Sequence, residues 1–592
     1  MGYCGIPTEE ALRPWPPPAK MWIRRNGWIL GPSRTIVVLD RVHDHVTLMP
    51  VVAAAVDTPW FQRLRGLKQL GVSCYLYPSA VHTRFEHSIG VSHLAERFVE
   101  SIRDRQPELQ LTDSDVRCVA AAGLSHDLGH GPFSHLFEDV VMPRRQQERH
   151  DSGGCQTASS SVSSPLVVRF DHEDMSQRLA RRMFAGILDT AEIDGTCALM
   201  RGDDVAYDRA ARAWRGGQGD DEARDTSTNN VRHVPLSELV SNKCSFMDVD
   251  KLDYLLRDSQ ACFGKTSSDI RLGRLLPATR VLPTQQKNGS SGVRHVCFEQ
   301  KMAATLRDIF QLRAKLHKFV YQHRVVKCIG HMVGDALAAG EPHILIAGMR
   351  MSELVRHGNE EAYCQLGDWI LDAIAVAMPN NSPNPTHAMS ELTAAQWIVG
   401  NLRRRRLYPV VLQTVLPSAS MDPQHPLHRV FEEASILGWL EAEWLRRYGT
   451  APEARRTSMT CDPVMLVAST MEAGRGTVGG MPSHRHLFIV DVVSIHHGAG
   501  NRDPLASCWF YNPKEDSNQL TRDGGSGRTA YRLPPAALEE GAFASRHYAE
   551  RSLFIFVRGE RDDIDVARAR EVARAWQLAH LQGTLVLDTN TF

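Results

Sequence analysis

The chain has no CxxC pair among its 12 scattered cysteines, which argues against a zinc ribbon or a disulfide framework and fits a reducing compartment. No apolar run approaches the roughly 18–20 residues that a membrane span needs. Net charge is also missing: Lys+Arg and Asp+Glu both total 68, so no global field draws the chain to DNA or anionic lipid. The opening MGYCGIPTEEALRPWPPPAK places acids and prolines where a secretory leader needs a basic and then an apolar stretch. Ile6 breaks the myristoylation pattern. No internal repeat is present. These absences predict an intracellular protein, nuclear or cytoplasmic, with no membrane attachment.

What is present is ordinary in bulk and unusual in detail. At 592 residues, with 43% hydrophobic and 23% charged, the chain is long enough for one to three soluble domains. Residues 1–34 are Pro- and Trp-rich and read as a flexible tail. From about 50 to 140, and again over 246–260 and 299–340, apolar residues recur at three and four, the helical period. After about 400 the texture changes: strands are expected at 486–497, 507–512 and 551–559, then a closing helix. The expected fold is mainly α, with a helical core over 35–400 and a smaller α+β lobe over 401–592. Polar, Gly/Ser-rich stretches near 144–165, 215–230 and 284–293 read as disordered insertions.

Histidine is the unusual count, at 26. In SHDLGHG (125–131), His126 and Asp127 give an imidazole and a carboxylate at the end of an apolar helix, donors that suit iron, manganese or zinc. Alone, such a pair is explained equally well by a helix-end hydrogen bond. Further donors must come from elsewhere, and His87 in RFEHS and Asp250 in DVDK supply them. His126 and His130 share a helical face, as do Asp250, Tyr254 and Asp258, and Arg313, His317 and Tyr321. A cation, an imidazole and a phenol in one stripe suit a triphosphate and a sugar. For that last stripe alone, a solvated face is the better reading.

The longer strings carry a resemblance. DTPWFQRLRGLKQLG (57–71), HTRFEHSIGVSHLAE (82–96), AGLSHDLGHGPFSHLFE (122–138), DVDKLDYLLRD (248–258) and LHKFVYQH (316–323) resemble the sterile-alpha-motif and HD-domain dNTP triphosphohydrolase family. The likeness runs through FIVDVV (488–493) and FYNP (510–513), from about residue 35 to 580. The roughly 34 residues before the core leave no room for the sterile-alpha-motif domain.

The resemblance implies an HD-type helical core that cleaves a dNTP into deoxynucleoside and inorganic triphosphate. It implies a divalent metal (Fe, Mn or Zn) on His87, His126, Asp127 and Asp250, and Mg²⁺ with the triphosphate. His135 matches the general acid and His172 its neighbour, while Glu138 stands where the family has an Asp. Arg84, His130, Lys251 and Arg313 would hold phosphates. Gln69, Leu70, Tyr254 and Asp258 would meet the sugar region, and His317, Tyr321 and Gln322 the base end. The family is activated by GTP or dGTP and dNTP effectors that join dimers into a homotetramer. Asp57, Gln62, Arg65 and Arg405 match a guanine-nucleotide pocket, and Val37, His45, Arg280, Lys301, His323 and Arg558 match other effector positions. Ile36, Leu39, Pro409 and Glu299 stand where the family has Lys, Asn, Lys and Arg. Lost cations weaken phosphate binding, by roughly 1–3 kcal/mol for each charge-assisted hydrogen bond. Weak single-stranded nucleic-acid binding is a further implied partner. Two alternatives are another HD-type nucleotidase or phosphodiesterase, and a non-catalytic nucleic-acid-binding protein on the same fold.

Overall fold

The structure is a computed structural model that describes residues 36–142, 170–215, 234–264, 270–285, 291–378, 385–449, 486–514, 529–534, 537–538, 548–559 and 563–581. The expected tail over 1–34 and the stretches 144–165 and 216–230 lie outside the described residues.

A hairpin of β1 (Ile36–Asp40) and β2 (Asp44–Leu48) precedes five helices that build the centre of the molecule: α1 (Arg84–Arg105), α2 (Asp113–Ser125), α3 (His172–Phe184), α4 (Thr190–Arg201) and α5 (Val249–Phe263). A second hairpin, β3 (Thr279–Gln285) and β4 (Ser291–Glu299), leads into α6 (Ala303–Leu316), α7 (Arg324–Gly340) and α8 (Pro385–Arg403). The remainder is β5 (Val410–Val415), α9 (Glu433–Tyr448), β6 (Phe488–His496), β7 (Trp509–Tyr511), β8 (Ala549–Val557) and α10 (Ile564–His580). The fold is mainly α, as the periodicity predicts. Among the described residues there are three small sheets, ordered β1-β2, β3-β4-β7 and β5-β8-β6.

Local chemistry explains the central helices. α1 opens on a capping box in which the Glu86 carboxylate accepts the Thr83 backbone N–H at 3.0 Å. It runs 22 residues because no Pro interrupts it, and its buried face carries Phe85, Ile89, Leu94 and Phe98. α2 is short and rich in alanine, with Ala120, Ala121 and Ala122 fully buried, so α1 can lie close against it. The α5 helix is capped by Asp248, whose carboxylate accepts the Lys251 N–H at 3.0 Å. α9 and α10 pack Trp444, Ile436 and Trp576 against β5, β6 and β8.

Of the expected insertion at 284–293, residues 286–290 lie outside the described residues, while Gln285 and Ser291 at its edges pair at the ends of β3 and β4. The short β7 pairs in parallel with β4, so the carboxy-terminal segment returns to the helical core, where Phe510 is fully buried.

Candidate metal centre and substrate cavity

Three helix-borne segments converge at the base of a cavity of about 610 Å³. α1 contributes His87, the turn after α2 contributes His126 and Asp127, and the first turn of α5 contributes Asp250. His87 Nε2 lies 3.1 Å from Asp250 Oδ1 and 3.4 Å from Asp127 Oδ2. His126 Nε2 lies 3.4 Å and 3.5 Å from the same two oxygens. Ligands bonded at about 2.1 Å around one ion stand about 3.0–3.4 Å apart. The donor set therefore has the spacing of a coordination shell.

Tautomers support the same fit. His87 Nδ1 donates to Asp253 Oδ2 at 2.7 Å, and His126 Nδ1 donates to the Gly123 carbonyl at 2.8 Å. Each proton is thereby placed on Nδ1, and each Nε2 lone pair is left for a cation. Both Nε2 atoms are buried and without a hydrogen-bond partner. Two orphaned imidazole nitrogens facing two carboxylates fit a divalent ion.

A histidine cluster sits beside this centre. The His130 and His172 rings stack at 4.0 Å, and His135 meets His130 edge-on at 4.8 Å. Burial and the nearby Arg84 cation lower the His135 imidazole to about 4. Burial also opposes charge on His172, but its 2.5 Å hydrogen bond to Glu138 outweighs this and holds it above its ordinary value. Of the two, His172 is the more basic. The loop between these histidines is strained: Phe133 and Ser134 have φ of 60° and 61°. Asp368 anchors it by accepting the Phe133 N–H at 2.7 Å and the Lys68 N–H at 3.0 Å.

Arg84 is almost fully buried and donates to Asp127 and, at 2.9 Å, to Ser134 Oγ. Lys251 reaches Asp248 at 3.2 Å. Arg313 donates to the His496 carbonyl. Besides His126, Asp127 and Asp250, the cavity is lined by Gln69, Leu70, Arg84, His135, His172, Tyr254, Asp258, Arg313, His317, Tyr321 and Gln322, while His87, His130 and Lys251 are not among its lining residues. Tyr254 and Asp258 follow Asp250 at successive turns of α5. A π-helical turn, His317–Tyr321, continues α6 and sets the two rings at right angles, 4.9 Å apart. Tyr321 donates to Asp258 at 2.6 Å. Burial raises Tyr254 to about 12, and burial with the Arg313 charge lowers His317 to about 2. Both side chains are therefore neutral hydrogen-bonding groups at physiological pH.

Sequence reasoning missed several participants. His82 holds Asp258 at 2.7 Å, Asp253 holds His87, and His43 holds Asp253 at 2.7 Å. Asp253 had a signal, since it lies three residues after Asp250 on the same helix. His43 and Asp368 had none, because their partners are remote in sequence.

The candidate effector residues lie outside this cavity. Gln62 donates to the Val56 carbonyl at 2.8 Å, Arg65 donates to Gln62 at 2.8 Å, and exposed Asp57 ends the preceding helix. Arg405 donates to the Tyr75 carbonyl at 2.6 Å. Val37 and His45 lie on opposite strands of the first hairpin. Arg280 bonds the Pro277 and Thr279 carbonyls, Lys301 pairs with Glu299 at 2.5 Å, and His323 caps α7. Arg558 is committed inside the chain to Asp335 at 2.8 Å.

The HD domain family matches residues 84–188, which span α1, the His126–Asp127 turn and α3. The chain is 35% identical over 494 residues to the deoxynucleoside triphosphate triphosphohydrolase SAMHD1 of Xenopus laevis, a match covering 81% of this chain and 66% of the frog protein. It is 29% identical to the Gallus gallus protein of the same name, covering 91% of this chain and 74% of that relative. The chain is thus similar over most of its length to proteins named as dNTP triphosphohydrolases, and it carries the match to the HD domain within that likeness. The homologue from Dictyostelium discoideum is 32% identical over 64% of this chain and 60% of its own length. The chain thus spans less than two thirds of the length of the frog relative and of the slime-mould relative. None of the described helices is long and apolar enough to cross a membrane.

Proposed function

We propose that this chain is a metal-dependent dNTP triphosphohydrolase that splits a dNTP into deoxynucleoside and inorganic triphosphate. The observation that carries the reading is the pair of orphaned nitrogens, His87 Nε2 and His126 Nε2, facing Asp127 and Asp250 at the base of a cavity lined by cations and phenols. An iron, manganese or zinc ion bound there supplies a water of lowered pKa and neutralises phosphate charge, and Mg²⁺ accompanies the triphosphate.

The chain's own residues divide the remaining work. Arg84, Lys251, Arg313 and His130 bind and orient the phosphates. A leaving 5′-oxygen needs a proton. His172, made the more basic by Glu138, stands beside His135, and the pair holds that proton at the cavity wall. Tyr254, Asp258 and Gln69 position the sugar, and Tyr321 closes the space beside it. His317 and Gln322 meet the base. A ribose hydroxyl would crowd Tyr254 and Tyr321, which favours deoxynucleotides. Activation by GTP or dGTP with a dNTP, through dimers joined into a tetramer, belongs to the same proposal. It would use Asp57, Gln62, Arg65 and Arg405 together with Val37, His45, Arg280, Lys301, His323 and Arg558.

The test compares wild type with Asp127→Ala, each with each dNTP, with and without GTP. Wild type is expected to hydrolyse dNTPs, to lose activity after chelation and to regain it with Mn²⁺. Asp127→Ala is expected to fall by at least about 100-fold. Hydrolysis that persists in Asp127→Ala sinks the metal assignment, and equal rates with and without GTP in nucleotide-free protein sink the activation.

A further inference from the structure

The first hairpin reaches the metal centre through one carboxylate. Asp253 is fully buried on α5, and its two oxygens are shared among three side chains. Oδ2 accepts from His87 Nδ1 at 2.7 Å and from Arg257 Nε at 2.9 Å. Oδ1 accepts from His43 Nε2 at 2.7 Å and from a terminal Arg257 nitrogen at 2.9 Å. Arg257 is shared in turn with Asp40, at 2.9 Å. Asp40 holds the hairpin turn by accepting the Val42 and His43 backbone N–H groups at 2.8 and 2.9 Å. Gly90, one turn beyond His87, leaves the space for this cluster. A Cβ there would overlap the Asp253 carboxylate and the Arg257 guanidinium.

We infer that His43 is a positioning residue of the metal centre: by holding Asp253 it fixes the proton and ring orientation of His87. The first hairpin is then a working part of that centre. The inference rests on the proposal that His87, His126, Asp127 and Asp250 hold a cation. His43 is neither a ligand nor a wall of the cavity. Its reach is indirect and follows from geometry. A buried carboxylate keeps one orientation only while its lone pairs are all engaged. Arg257 fixes the carboxylate plane, but Arg257 is itself tethered to the hairpin through Asp40. Without the His43 donor, Oδ1 keeps only Arg257. Asp253 is then free to swing toward that cation and loosen its hold on His87 Nδ1. Partners of metal-ligating histidines typically change metal affinity by about 10–100-fold, and His43 acts one bond further out.

Mn²⁺ titrated calorimetrically into the chelator-stripped full chain tests this. The samples are wild type, His43→Phe, His43→Gln and Asp250→Ala. His43→Phe keeps the ring and removes the donor, and it is expected to weaken Mn²⁺ binding about tenfold at unchanged stoichiometry. His43→Gln returns an amide N–H to the Nε2 position and is expected to recover most of the affinity. Melting of the metal-free proteins is expected to be similar, and if His43→Phe does not fold, His43→Asn carries the same expectation. Wild-type affinity in His43→Phe, with weakened binding in Asp250→Ala, overturns the positioning role and leaves the centre standing. Equal loss in His43→Phe and His43→Gln overturns it too. Unchanged binding in Asp250→Ala overturns the underlying cation site.

Discussion

Glu138 decides which histidine beside the metal centre is the more basic. Burial alone would lower both, yet Glu138 at 2.5 Å holds His172 above its ordinary value while His135 falls to about 4. A group that must donate a proton loses activity as pH rises through its pKa, so in the proposed role His172 would set an alkaline limb. Glu138→Gln removes the raising influence, and the alkaline limb of kcat/KM is expected to move to lower pH. An unshifted profile from pH 6 to 9 would detach His172 from the proton step. The clustering of His87, His126, Asp127 and Asp250 was legible at this scale because their strings are long and specific. The partners that fix those residues were not. His43 and Asp253 are 210 residues apart, and no local pattern joins them. Asp368, which fixes the Phe133–Ser134 strain, meets that loop across 235 residues.

Elements bring these residues together through close approach. Gly129 lies where the metal-bearing turn touches α3, and a Cβ there would overlap the His172 carbonyl and the Ser176 nitrogen. Its own N–H donates to Ser176 Oγ at 2.8 Å, and its carbonyl accepts from Tyr363 at 2.8 Å. Backbone cannot yield as a flexible side chain would. Gly129→Ala is therefore expected to cost roughly 1–3 kcal/mol and to displace the start of α3. Urea unfolding measures the cost, and a wild-type midpoint would contradict this packing. Helix positions were legible because apolar residues keep the 3.6 period over many turns. The pairing of β3 with β4 was not, because strand partners leave no periodic mark. The π-helical turn at His317–Tyr321 also left no periodic mark, although it orients both rings.

Across the molecule, the carboxy-terminal sheet is locked to the helical core by a buried charge. Asp491 on β6 meets Lys327 and His331 of α7, each at 3.0 Å. Burial opposes its charge, but Lys327 and His331 outweigh this and hold the carboxyl at about 2, below its usual 3.8. A depressed carboxyl adds stability above the unfolded-state value, and that stability is lost as pH falls through about 2. Asp491→Asn is expected to lower stability by roughly 2 kcal/mol at pH 7. The difference from wild type should shrink between about pH 4 and pH 2. Denaturant unfolding across that range checks the sign, and a constant difference would contradict it. The change of texture after residue 400 predicted the strands β6, β7 and β8, but it gave no sign that β7 returns to β4.

The proposed activity turns on which bond of a dNTP is cleaved. Phosphorus NMR of a dNTP incubated with Mn²⁺-loaded protein reads this directly. The expected result is inorganic triphosphate as the sole phosphorus-containing product, the deoxynucleoside carrying no phosphorus. Release of orthophosphate or pyrophosphate instead, with the corresponding deoxynucleotide, would contradict it.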